Sequence, residues 1–119
     1  MSLAAELAAR QLAAYNAADL DAFCACYHSE VEVWNDRESG FQSIEAFRDR
    51  YRDLFERWEF GATVSERIAL GDHAIDLEHW WRVNPDTRER TEGDLLVRYT
   101  VRDDLIGVVQ FLRPSSMIS

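Results

Sequence analysis

The sequence predicts an α+β domain, with three helices in its first half and a strand-rich second half. Three observations carry this. Apolar residues recur at helical spacing as far as Trp58, the period switches to two after Gly61, and turn residues punctuate the rest. At 119 residues the chain is expected to form one domain, residues 1–119, burying roughly two-thirds of its unfolded surface. Apolar content of 47% and aromatic content of 12% fit a packed core.

Ser2 is placed to cap a first helix running to about Asn16, with Ala4, Ala8, Gln11, Leu12 and Tyr15 on one face. Asp19 caps a second helix, Leu20 to Tyr27, whose stripe is Leu20, Phe23 and Tyr27. His28 and Ser29 end it, and Val31 to Asn35 reads as the first strand. Residues 36–42 read as a loop. Ser43 caps the third helix, with Ile44, Phe47, Tyr51, Leu54, Phe55 and Trp58 as its buried stripe. Strands follow at 62–70, 74–83, 93–101 and 105–113, separated by Gly71-Asp72, Asn84-Pro85-Asp86 and Asp103-Asp104. The tail 115–119 is expected to fray.

The phrase AYNAADLDAFCACYHSEVEVW, followed by GFQSIEAFRDRYRDLF, resembles the nuclear transport factor 2-like superfamily, in particular its SnoaL-like and ketosteroid-isomerase-like branches. The resemblance extends over nearly the whole chain. It implies a cone: three helices wrapped by a strongly bent antiparallel or mixed sheet, with a pocket at the wide end. Isomerases of this kind use a tyrosine on the first helix, an aspartate base ending the first strand and a protonated aspartate on a later strand. Those roles align here with Gln11, Asn35 and Val97, none of which matches. Isomerisation of a 5-ene-3-ketosteroid at an enzymic rate is therefore not expected. Nor does the sequence show the inward Asp–Arg–Asp set of epoxide hydrolases on this fold.

Strand parity then selects the remaining site residues. Ile75, Leu77, His79, Trp81 and Val83 form the apolar odd set of their strand, and Leu95, Val97, Tyr99 and Val101 that of the next. Both odd sets are expected to face inward. Asp76, Glu78, Arg82 and Arg98 would then be cross-strand ion pairs on the outer face. On this reading His79 and Tyr15 are the candidate catalytic residues: an inward histidine titrates near neutrality, and the tyrosine donates a hydrogen bond. Asn35, Trp81, Tyr99, Gln11 and Val97 are the candidate ligand contacts. Structural explanations compete: a core histidine bonded to a neighbour, a core-edge tyrosine on a backbone carbonyl, an asparagine capping a strand end.

The expected function is cofactor-free proton transfer on a small, largely apolar organic molecule, of isomerase, cyclase or hydrolase type. The alternative is a ligand-binding or dimerisation module without chemistry. Trp80, Leu96, Ile106, Val108 and Leu112, the even set, would form the face of a homodimer. A net charge of −9 argues against nucleic acid and anionic membrane surfaces. All thirteen basic residues are arginine, for which the chemistry offers no functional reason. His28, His73 and His79 have no metal-ligand spacing, so neither metal nor cofactor is expected. Cys24 and Cys26 point apart on a helix and are expected as free thiols. No run suits a membrane helix, and MSLAAELAAR lacks the pattern of a secretory signal, so a cytoplasmic location is expected.

Overall fold

The computed structural model describes residues 2–41 and 43–114. Among the described residues three helices, α1 (Leu3–Asn16), α2 (Leu20–Cys24) and α3 (Ile44–Arg57), lie against one six-stranded sheet. The strands are β1 (Tyr27–Asn35), β2 (Glu38–Phe41), β3 (Glu59–Leu70), β4 (His73–Val83), β5 (Arg90–Arg102) and β6 (Leu105–Leu112). The sheet order is β2-β1-β6-β5-β4-β3. Among the described residues only the β1–β6 pair is parallel, so the sheet is mixed and β3 to β6 form an antiparallel meander. This is the expected α+β cone.

The helix starts follow from side-chain chemistry. Ser2, Asp19 and Ser43 each accept the backbone N–H three residues on, at 3.1, 3.1 and 3.2 Å. The aromatic core then joins the helices to the sheet. Phe23 contacts Tyr15, Tyr27, Phe47, Tyr51 and Phe55 with ring centroids 5.0–5.8 Å apart. Asn16 pins the end of α1 to β3 by exchanging two hydrogen bonds with the Ala62 backbone, at 2.9 and 2.8 Å.

Several boundaries differ from the sequence reading: β3 begins at Glu59 rather than 62 and β5 at Arg90 rather than 93, and two differences are larger. The second helix stops at Cys24, and residues from Tyr27 onward are already strand. The expected helix through Tyr27 is therefore too long. A register shift against β6 between Tyr27 and Glu32 absorbs the irregular stretch at His28 and Ser29. The expected loop 36–42 contains β2, which pairs with β1 through a turn where Asp36 adopts a positive φ of 56°. Gln42 and residues 115–119 lie outside the described residues, as does the expected fraying.

The larger correction concerns parity. Every β4–β5 pair joins an even residue of β4 to an odd residue of β5, or the reverse: Ala74 faces Tyr99, Asp76 faces Val97 and Glu78 faces Leu95. With Leu95, Val97 and Tyr99 inside, the even residues of β4 must be inside too. The connecting loop has six residues, 84–89, closed by the Val83–Arg90 pair. The shorter turn assumed at Asn84-Pro85-Asp86 would have matched odd with odd. Asp76, Glu78, Trp80 and Arg82 thus point inward, and Leu77, His79 and Trp81 lie on the outer face. Ile106 is also inward: Gly107 is a bulge residue, and a Cβ there would sit 2.6 Å from the Cβ of Arg102.

Candidate functional site

Burying Asp76 needs a counter-charge. A second bulge, between Val64 and Glu66, turns Arg67 onto the inner face opposite Asp76. Its guanidinium donates twice to the carboxylate, Nε to Oδ1 at 2.6 Å and Nη2 to Oδ2 at 2.9 Å. Asp76 is fully buried and this pair holds it.

Glu78, two residues on, is treated differently. No hydrogen bond or ion pair reaches its carboxylate among the described residues. It lines a cavity of about 330 Å³ between the helices and the inner sheet face, together with Gln11, Leu12, Tyr15, Phe23, Tyr27, Tyr51, Leu54, Trp80, Leu95, Tyr99, Phe111 and Arg50, Arg82 and Arg113. Burial raises its pKa to about 7; the Asp76 charge raises it too, while Arg82 and Arg113 oppose. Glu78 is thus poised to hold or release a proton near neutrality.

Phenols surround it. Tyr27 donates to Gln11 Oε1 at 2.9 Å, and Gln11 Nε2 donates to the Tyr99 oxygen at 2.8 Å and to the Ala8 carbonyl at 3.1 Å. Tyr99 accepts in this chain, so its own proton is left for another acceptor. Burial lifts the Tyr27 and Tyr99 phenols well above their usual range and pushes Tyr51 up to about 12. Burial raises the Tyr15 phenol too, and Arg82 beside it opposes. All four stay protonated at neutral pH, and Tyr27 donates.

Trp80 fits inside because Gly93 faces it across β5, where a Cβ would come within 3.1 Å of the indole. Trp81 lies likewise over Gly61 on the outer face, with the Arg90 guanidinium 4.7 Å above its ring.

The sequence-based candidates divide accordingly. Tyr15, Gln11 and Tyr99 line the cavity. His79 does not: its side chain is 42% exposed on the outer face, with Nδ1 2.8 Å from Asp94 Oδ1 and Nε2 3.1 Å from Glu92 Oε1. Those carboxylates raise its pKa. Its candidacy rested on inward parity, and that premise fails. Trp81 is outside for the same reason. Val97 is fully buried in the core without lining the cavity. Asn35 is exposed at the end of β1, where Arg113 donates to its side chain at 3.0 Å. The cysteines are free and buried, their thiols raised by burial, which disfavours a nucleophilic thiolate. Among the described residues no group of three His, Cys, Asp or Glu is arranged to hold a metal, and no helix is long and apolar enough to cross a membrane.

The family profile of the SnoaL-like domain matches residues 8–108. The chain belongs to the SnoaL-like family. No curated protein matches the sequence. Among solved structures, the SnoaL-like chain is similar to an uncharacterized cystatin-fold protein of Novosphingobium aromaticivorans, at 24% identity and a TM-score of 0.83 over 95% of this chain and 99% of that one. It is similar to a Mycobacterium tuberculosis protein in complex with estradiol-17beta-hemisuccinate, at 14% identity and a TM-score of 0.86 over 98% of both chains. A Delta 5-3-ketosteroid isomerase from Mycobacterium sp. superposes with a TM-score of 0.84 at 11% identity, over 96% of this chain and 95% of that one. These likenesses show the fold alone, the expected cone; with the family match they support the nuclear transport factor 2-like superfamily. Within it, the SnoaL-like chain carries its acidic cavity group on β4.

Proposed function

We propose that this SnoaL-like chain binds a small organic molecule in the cavity and moves a proton on it without a cofactor, with Glu78 as the acid/base group. One observation carries the reading: a carboxyl with a pKa of about 7, free of partners among the described residues, lines a cavity whose other groups are apolar or hydrogen-bond donors. The Glu78 carboxylate would take a proton from the carbon beside a carbonyl. The electron pair would move onto the carbonyl oxygen, which Tyr99 or Tyr15 would stabilise by donation. The proton would then return from Glu78 to carbon.

The test is deuterium exchange into 2-tetralone, a small aromatic ketone, followed by NMR. The protein should accelerate exchange, with the rate climbing through pH 7, and Glu78→Gln should lower it by ~10²–10⁴-fold. His79→Gln should not. Equal rates for the parent and Glu78→Gln would remove the catalytic reading. Binding without turnover is the second reading, favoured by Asn35 and Val97 in place of the isomerase carboxylates.

A homodimer through the outer sheet face is also proposed, with corrected residues. Trp80 and Ile106 point inward and drop out. Leu77, Leu96 and Leu112 are mutual neighbours in register across β4, β5 and β6, each exposed, with Val108 further along β6.

A further inference from the structure

The cavity lining holds three guanidinium groups, Arg50, Arg82 and Arg113, against one carboxyl, Glu78. This runs against the composition of a chain whose net charge is −9. The other inward carboxylate, Asp76, is already matched by Arg67. Among the described residues none of the three arginines forms an ion pair. Arg50 lies over Tyr51 at 5.9 Å from the ring centroid. Arg113 lies over Phe111 at 5.3 Å and donates to Asn35. Arg82 lies over Trp80 at 5.7 Å, and its Nε is buried without a hydrogen-bond partner.

A buried, unpartnered guanidinium nitrogen costs free energy unless something else completes it. Arg98 has an orphaned Nε as well, but it pairs with Ile75 and Gln110 on the outer face and does not line the cavity. Around Arg82 the walls are aromatic: Tyr15, Phe23, Trp80 and Phe111. A guanidinium offers a planar fork of donors that matches a carboxylate in two parallel hydrogen bonds.

We propose that the cavity takes an organic anion, a carboxylate on an aromatic or alicyclic frame, and that Arg82 is the counter-ion of its acidic group. This rests on the reading of the cavity as a small-molecule site. Arg50 and Arg113 add positive potential to the same cavity, and the aromatic walls take up the frame.

The probes are 2-naphthoate and 2-naphthamide, which share a frame and differ in charge. Calorimetric titration at pH 6.5 compares the parent protein with Arg82→Gln and Arg82→Lys. In the parent, naphthoate should bind at least about tenfold more tightly than the amide, since hydrogen bonds between charged partners exceed neutral ones by that margin. Arg82→Gln should erase the preference while leaving amide affinity within about twofold, which also reports that the cavity is intact. Arg82→Lys should keep part of the preference. Equal affinities in the parent, or a preference that survives Arg82→Gln, would overturn the proposal and leave the cavity as a site for neutral molecules. If neither probe binds, the small-molecule reading falls and this proposal falls with it.

Discussion

Glu78 offers a measurement of the site that requires no substrate. Its carboxyl has an ordinary pKa of 4.5 and stands at about 7 in the folded chain. Below pH 4.5 the folded and unfolded chains both hold the proton, and the group costs nothing. Between 4.5 and 7 the unfolded chain releases its proton while the folded chain keeps it. The folded state then binds more protons, so stability falls as pH rises. Above 7 both states are ionised and the loss levels off. A gap of about 2.5 pH units corresponds to about 3 kcal/mol at full extent.

Glu78→Gln keeps the shape and removes the charge at every pH. The variant should match the parent at pH 4 and exceed it increasingly up to pH 8, by about 3 kcal/mol in urea denaturation. In a chain of this size that is a difference in melting temperature of roughly 10 °C. The comparison between the two proteins removes the contributions of all other titrating groups. A stability difference that stays constant from pH 4 to pH 8 would show that Glu78 is solvated and ordinary, and the acid/base role would lose its basis.

Four further outcomes follow from the same geometry. Asp76→Ala should destabilise by about 1.5–3 kcal/mol in urea titrations, because the half-buried Arg67 would lose both of its charge-assisted hydrogen bonds. Gly93→Ala should cost about 1–3 kcal/mol and weaken naphthamide binding, since the added methyl displaces the Trp80 ring that walls the cavity. Leu96→Glu should elute as a monomer on a sizing column where the parent elutes as a dimer; identical elution would remove the proposed outer face. His79→Gln should leave tetralone exchange within about twofold of the parent, since the ring faces solvent beside Asp94 and Glu92; a large loss would return His79 to the chemistry.

The helices were legible because their signals are local. Ser2, Asp19 and Ser43 cap where they stand, and the α3 stripe of Phe47, Tyr51, Leu54 and Phe55 is buried as its spacing implies. Tyr15, Gln11 and Tyr99 were found as cavity residues because one helical face and one strand parity suffice to orient them. Glu78 was missed because orienting β4 requires the register of a hairpin, and register turns on whether the loop holds an odd or an even number of residues. Counting six residues from Asn84 to Glu89 is the signal that would have found it, since Leu95, Val97 and Tyr99 were already assigned inward.

Charge patterning pointed the wrong way for a physical reason. An alternating strand with Asp76, Glu78 and Arg82 on one side and Ile75, Leu77 and Trp81 on the other normally turns its charges to water. Here the charged side is interior, and each charge is accommodated differently. Arg67 reaches Asp76 only because the bulge after Val64 shifts its parity, so the partner was hidden from an unbroken period-two reading. Glu78 has no such partner and answers burial by keeping its proton to about pH 7. Arg82 brings its guanidinium beside Tyr15 and over Trp80. A strand that turns charge inward, neutralises one group fully and leaves the next two unmatched concentrates its cost at the cavity. The proposed anion would offset the Arg82 part of that cost, so the anion-binding titration and the pH dependence of Glu78 probe one design from two sides.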